Sequence, residues 1–212
     1  LRFVWPMVRK VFATTPRAIE HARANGYNMI IHQTLKNDTI IVGWKVENTD
    51  DKTIYFSIGA HPAFYYPDYD PETDERGYFS FDRSEGLECI RIMEKGCVDA
   101  VTKYPLEIPQ DGLLPLRKDT FDVIDTIMLQ DSQIGRVTLH RNDGTPWLSL
   151  KFTAPVVGLW SPPTKNAPFI CIEPWYGRCD RAGYTGDYCQ KDWVNRLEPG
   201  KEFEGIYTIE IA

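Results

Sequence analysis

Polar turn clusters break this chain at short intervals. The runs between them are too short for helices and are rich in β-branched and aromatic residues. Tyr27 to Leu35 reads as a strand, and Lys36-Asn37-Asp38 turns it into Thr39 to Val46. Asn48-Thr49-Asp50-Asp51-Lys52 then turns that run into Thr53 to Ile58, which completes a three-strand meander with polar hairpin loops. Farther on, Arg136 to His140 and Trp147 to Phe152 flank Arg141-Asn142-Asp143-Gly144, a strong hairpin signal. Thr126 to Leu129, Gly158 to Ser161, Phe169 to Ile172 and Phe203 to Ile211 read as further strands. The one helical candidate is Pro16 to Asn25, with Thr15 as its N-cap. The expectation is an all-β chain: one domain over residues 1–212, built as a large antiparallel β-sandwich.

Three stretches read as loops. Pro67 to Gly77 is polar and acidic, Ser161 to Pro168 carries three prolines, and Arg178 to Val194 is long and rich in Gly, Tyr, Asp and Arg. Loops of that last length in a compact domain are often functional. An apolar content of 42% supports a sizeable core. A formal charge of −6 argues against nucleic acid or an anionic membrane as partner, since both need clustered Lys and Arg. The five cysteines, with no CxxC pair among them, fit reduced cytoplasmic thiols better than a disulfide framework or a zinc site. No apolar run is long enough to span a bilayer, and no signal-peptide cleavage pattern follows Leu1 to Lys10. A first residue of Leu1 rather than Met reads as a fragment of a longer chain.

Two segments carry the candidate chemistry. In Ser57-Ile58-Gly59-Ala60-His61-Pro62-Ala63-Phe64, Gly59 and Pro62 bracket His61 and hold it in a turn at a strand end. A histidine so placed suits proton transfer near neutral pH, although many such histidines only bond a nearby carbonyl. In Ile170-Cys171-Ile172-Glu173-Pro174-Trp175-Tyr176-Gly177, Glu173 ends an apolar run and Pro174 stops it. A carboxylate there either pairs with a cation, with Arg178 or Arg181 as candidates, or serves as a base of raised pKa in a cleft. Trp175 and Tyr176 either fill the core or stack on a sugar face. Trp160, in Gly158-Leu159-Trp160-Ser161-Pro162, lines the same cleft or fills the core. Asp122 and Asp125 precede a strand, as turn residues or as acceptors for hydroxyls.

The other histidines read as structural. His32 lies on a sheet surface, His140 stands exposed before a hairpin turn, and His21 sits in the helical candidate. Because the histidines are scattered, no metal cluster is expected. GxSxG, Walker, GxGxxG and HExxH patterns are absent.

Taken together, Ser57 to Phe64 and Ile170 to Gly177 resemble the aldose 1-epimerase (galactose mutarotase-like) superfamily, and within it the LacX-like branch. Leu114-Pro115-Leu116, Phe121-Asp122, Gly158 to Pro162 and Leu197-Glu198-Pro199-Gly200-Lys201-Glu202-Phe203 follow in the order of that branch. The resemblance runs from about Tyr27 to the C-terminus. It implies a large β-sandwich with no cofactor or metal, acting on a small-molecule sugar. It implies that His61 is the general acid toward the ring oxygen and Glu173 the base toward the anomeric hydroxyl. Asp122 or Asp125 would bind a sugar hydroxyl, and Trp160, Trp175, Tyr176 and Arg178 would complete the substrate site. Two alternatives stay open: a hexose 6-phosphate mutarotase with Arg178 and Arg181 on the phosphate, and a carbohydrate-binding protein without turnover. The superfamily's N-terminal portion, with a second histidine in a His-Gly-Phe-Ala-Arg-like segment and a sugar-binding arginine, has no match before Tyr27.

Overall fold

The hairpin predicted at Lys36-Asn37-Asp38 forms in the computed structural model, which describes Glu20, Ala24, residues 26–93 and residues 96–212. Strand β1 (Tyr27–Lys36) pairs along its whole length with β2 (Thr39–Asn48). Asn37 makes the turn at φ 53, a conformation asparagine tolerates better than most residues. The fold class is all-β, with a short 3-10 turn at Tyr188–Gln190 among the described residues, and every pairing between its strands is antiparallel. Of the helical candidate Pro16 to Asn25, only Glu20 and Ala24 are described, and both are helical. The rest of that candidate, His21 included, lies outside the described residues.

Two seven-stranded sheets carry the architecture. The first runs β1, β2, β16 (Glu202–Ile211), β12 (Pro146–Phe152), β11 (Arg136–His140), β6 (Glu75–Phe81) and β9 (Leu114–Arg117). The second runs β4 (Ile58–Gly59), β14 (Phe169–Tyr176), β13 (Val156–Trp160), β10 (Thr126–Leu129), β7 (Glu88–Ile92) and β8 (Val98–Pro105), with β5 (Ala63–Tyr65) also on β14. A two-stranded piece joins β3 (Ile54–Phe56) to β15 (Asn195–Leu197).

The main core is made by the alternate residues that the two sheets turn toward each other. Val42, Phe79, Leu139, Leu150 and Ile209 from the first sheet pack in one cluster with Ile127, Leu129, Leu159, Ile170 and Ile172 from the second. Each such side chain contributes about 1.5–3 kcal/mol when fully buried. A second cluster of Ile90, Val98, Met128 and Val156, with Trp175, Cys179 and Trp193 against it, covers part of the other face of the second sheet. Both faces of this sheet are therefore partly covered. That explains why Thr126–Leu129 is buried at every position instead of alternating.

Two expectations need correction here. Thr53 to Ile58 is not a third meander strand. It splits into β3 and β4, which join different sheets, and the neighbour of β2 is the C-terminal strand β16. Turn chemistry between β2 and β3 was legible, but the long-range pairing that displaced the meander was not. His140 is buried rather than exposed, with Nε2 2.7 Å from Ser80 Oγ and Nδ1 2.9 Å from the Gly144 carbonyl. Its place on β11, between β12 and β6, encloses it.

Candidate active site

The period of two along β14 sorts its residues by face. Ile170, Ile172 and Tyr176 enter the main core, whereas Cys171, Glu173 and Trp175 alternate with them and face the other way. Pro174 does not stop the strand, contrary to expectation, because the segment beside it is itself interrupted. β4 pairs Gly59 with Trp175, β5 pairs Ala63 with Cys171, and one register serves both. The intervening Ala60-His61-Pro62 continues that register, so His61 stands opposite Glu173.

Two prolines account for the interruption. Ala60 donates its N–H to the Pro174 carbonyl at 3.0 Å, and Ile172 donates to the Pro62 carbonyl at 3.3 Å. In an antiparallel ladder each of these pairs would exchange a second bond, but neither Pro62 nor Pro174 has an N–H to give. The Ala60 carbonyl takes the indole Nε1–H of Trp175 instead, at 3.1 Å. The indole lies so close to two glycines that a Cβ at Gly59 would sit 2.6 Å from its Cδ1, and one at Gly158 2.7 Å from its Cη2. Any side chain at either position would push the ring off the carbonyl it serves.

Residues 61 and 173 thus occupy a non-hydrogen-bonded pair, the ladder position at which facing side chains approach most closely. His61 Nδ1 lies 3.4 Å from Glu173 Oε1. The histidine side chain is 57% exposed and the glutamate 4%. Trp160, across β13, meets the imidazole edge-on with ring centroids 5.6 Å apart. Burial pushes the Glu173 carboxyl up from 4.5 to about 8, and desolvation against the sheet lowers His61 from its ordinary 6.5. Near neutral pH the two groups therefore hold a single titrating proton between them, and it rests on Glu173. A pocket of about 370 Å³ opens beside His61, lined by Ser57, Gly59, Ala60, Trp175, Arg178 and Cys179 among others. That volume falls in the range of small-molecule sites, about 300–1,000 Å³.

No protein-family model matches the chain. Over 188 residues, 87% of the chain, it is 30% identical to the plasmid and chromosomal LacX proteins of Lactococcus lactis subsp. lactis, and it spans 62% of their length. It is similar to the structure of a galactose mutarotase related enzyme from Lactobacillus acidophilus, with 29% identity, a TM-score of 0.73, and coverage of 88% of this chain and 61% of that one. A galactose mutarotase-like protein from Lactobacillus casei ATCC 334 aligns with 26% identity, a TM-score of 0.75, and coverage of 88% and 63%. The chain has the fold of the galactose mutarotase-like proteins and is similar to them over most of its length. Its curated relatives place it on the LacX-like branch.

Against that superfamily frame, the other residues singled out in the sequence separate. Trp160 and Trp175 sit on the His61–Glu173 face. Tyr176 does not. It points into the main core, edge-on to Trp44 and Phe203, with its hydroxyl 2.7 Å from Thr153 Oγ1. Strand alternation carries it to the side opposite Glu173, which takes it out of the sugar-contact set. Arg178 borders the pocket, but its Nη2 donates to Asp192 Oδ2 at 2.7 Å, and Arg181 holds the other oxygen of that carboxylate at 3.0 Å. The cation partners expected for Glu173 are thus committed to Asp192. Asp122 accepts from the Thr164 N–H at 2.8 Å, and Asp125, at φ 61, accepts from Thr126 Oγ1 at 2.8 Å. Neither aspartate lines the pocket beside His61.

Two members of the site escaped the sequence reading. Cys171 reaches the site face because it stands two residues before Glu173, so strand alternation alone could have found it. The Trp175–Ala60 bond had a fainter signal: His61 and Glu173 each directly precede a proline, the mark of a ladder lacking its return bonds.

Proposed function

We propose that this chain carries the acid–base centre of an aldose 1-epimerase that interconverts the α and β anomers of a hexose. The observation supporting this reading is the 3.4 Å approach of His61 Nδ1 to Glu173 Oε1 at the edge of a pocket of about 370 Å³. In a pyranose, the ring oxygen and the anomeric hydroxyl are bonded to the same carbon. An acid and a base that serve both must therefore stand close together and on one side of the sheet.

Glu173 passes its proton to Nδ1 of His61 and takes that of the anomeric hydroxyl, while His61 delivers its Nε2 proton to the ring oxygen. Nδ1 of His61 is the nitrogen turned to Glu173, so Nε2 is the one that meets the sugar. The C1–O5 bond breaks and the open-chain aldehyde forms. Rotation about C1–C2 presents the other carbonyl face, and reclosure reverses both proton transfers. Electrons and protons balance without an external reagent, because the pair ends with the same single proton it began with. Mutarotation proceeds unaided in water, so a positioned acid and base, each worth about 10²–10⁴-fold, supply a useful acceleration. The rigid ladder on which both residues sit holds the spacing.

Polarimetry on freshly dissolved α-glucose and α-galactose tests this. Wild type should speed the approach to the equilibrium rotation, and His61→Asn and Glu173→Gln should each remove the acceleration. A wild-type rate equal to that of buffer would overturn the assignment for those sugars. The commitment of Arg178 and Arg181 to Asp192 weighs against the phosphosugar reading, which needed both guanidinium groups.

A further inference from the structure

His61, Cys171 and Glu173 converge: one ligand-capable atom from each, a nitrogen, a sulfur and an oxygen, lies within 4.8 Å of the other two. Cys171 and Glu173 stand two apart on one face of β14, and Ala63, two residues beyond His61, is the ladder partner of Cys171. Two of the three donors are thus fixed by a rigid strand. The third sits on the interrupted segment, where an exposed ring can move.

We infer that these three side chains form a binding site for a thiophilic divalent cation of the Zn²⁺ class, which excludes sugar when occupied. The ligand set argues the class. One sulfur, one imidazole nitrogen and one carboxylate oxygen match zinc, cobalt or cadmium, whereas magnesium and calcium take oxygen donors. Tetrahedral zinc, with bonds of about 2.0–2.3 Å, holds its ligand atoms roughly 3.5 Å apart. His61 Nδ1 and Glu173 Oε1 already stand at that spacing, 3.4 Å apart, and Cys171 lies within 4.8 Å of both, so the closure the ion needs is small. Three protein donors leave the fourth position of a tetrahedral ion for water, and His61 is the donor that borders the pocket.

Charge supports the same class. On binding, the thiol gives up its proton and the His61–Glu173 pair gives up the one it holds, both to solvent. A dication with one thiolate, one carboxylate and a neutral imidazole is then neutral overall, which a buried wall accepts far better than a net charge. Cys171 and Glu173 are both buried, with 1% and 3% of their surface exposed. The same occupancy removes both members of the acid–base pair from service, so the ion and the sugar compete. The inference shares its residues with the proposed catalytic pair, but its test needs no turnover.

Cobalt is the direct probe. Titration of the metal-free full chain with Co²⁺ should raise a near-ultraviolet thiolate-to-cobalt absorption, and Zn²⁺ should bleach it, whereas Mg²⁺ or Ca²⁺ in large excess should not. Cys171→Ser should abolish the band and weaken zinc by at least about 100-fold, since even second-shell losses cost 10–100-fold. Cys189→Ser, at an exposed thiol, should leave the titration unchanged. Should Cys171→Ser fail to fold, His61→Asn and Glu173→Gln are read in the same assay, and each should weaken zinc by a similar factor. A band that survives Cys171→Ser, or zinc affinity that all three variants retain, overturns the site. Zinc binding in a protein without mutarotase activity would leave this inference standing and defeat only the functional proposal. Activity without the cobalt band would do the reverse.

Discussion

His61 and Glu173 are cross-strand neighbours across a ladder that two prolines have opened. The register pairing Gly59 with Trp175 and Ala63 with Cys171 sets them face to face, and Nδ1 lies 3.4 Å from Oε1. One partner is buried and the other exposed, so a single pair reaches both the low-dielectric wall and the pocket beside His61. The pair's protonation follows from that asymmetry.

Ring opening needs one proton in the pair: with two there is no base, and with none there is no acid. The acceleration of mutarotation should therefore follow a bell in pH. Its alkaline limb should lie near pH 8, where the buried Glu173 carboxyl ionises, and its acid limb below 6.5, where His61 charges. Initial rates measured from pH 4 to 10, corrected for buffer catalysis, check this. A flat profile would contradict the shared-proton account.

The same carboxyl sets a stability trend. Its folded value lies above its ordinary one, so the folded state binds the proton more tightly. That contribution is complete below pH 4.5 and is lost as pH rises toward about 8. Glu173→Gln mimics the protonated form. It should melt close to wild type near pH 4.5 and a few degrees above it at pH 8–9. Thermal denaturation at both pH values reads the crossover, and a variant less stable than wild type throughout would show that the ionised carboxylate is held by partners instead.

Trp175 substitutes for an N–H that Pro174 lacks. Trp175→Phe should leave the Ala60 carbonyl without its donor and cost about 1–3 kcal/mol. Pro174→Ala restores an N–H aimed at that carbonyl, so the same Trp175→Phe change should cost less in the Pro174→Ala background. Urea denaturation of the four proteins gives the coupling energy. Strict additivity would mean that the two donors do not compete for Ala60.

Arg178 and Arg181 grip one carboxylate with unequal force. The Arg178 side chain is 2% exposed and that of Arg181 is 50% exposed. Arg178→Ala should cost about 1.5–3 kcal/mol by removing a charged hydrogen bond from a buried setting. Arg181→Ala should cost about 0–1 kcal/mol, as exposed pairs do. Equal losses in thermal melts would contradict the burial difference.

What could be read from residue order was local. Turn residues and β-branched runs announced β1, β2, β11 and β12, and the two short segments around His61 and Glu173 pointed to the galactose mutarotase-like proteins and to the candidate acid and base. Strand period was legible too, although the proline after Glu173 hid how far β14 continues. Distances between segments far apart in the chain were not legible. Those far-apart relations depend on which strands pair and in what register, and pairing energy comes from contacts that no local window contains. Hence β16 displaced the expected third meander strand, Tyr176 fell on the core side, and both arginines went to Asp192. A histidine, a cysteine and a glutamate drawn from two separate segments came to share one face of one sheet. Residue order supplied the chemistry of each group, and long-range strand register set which groups could act together.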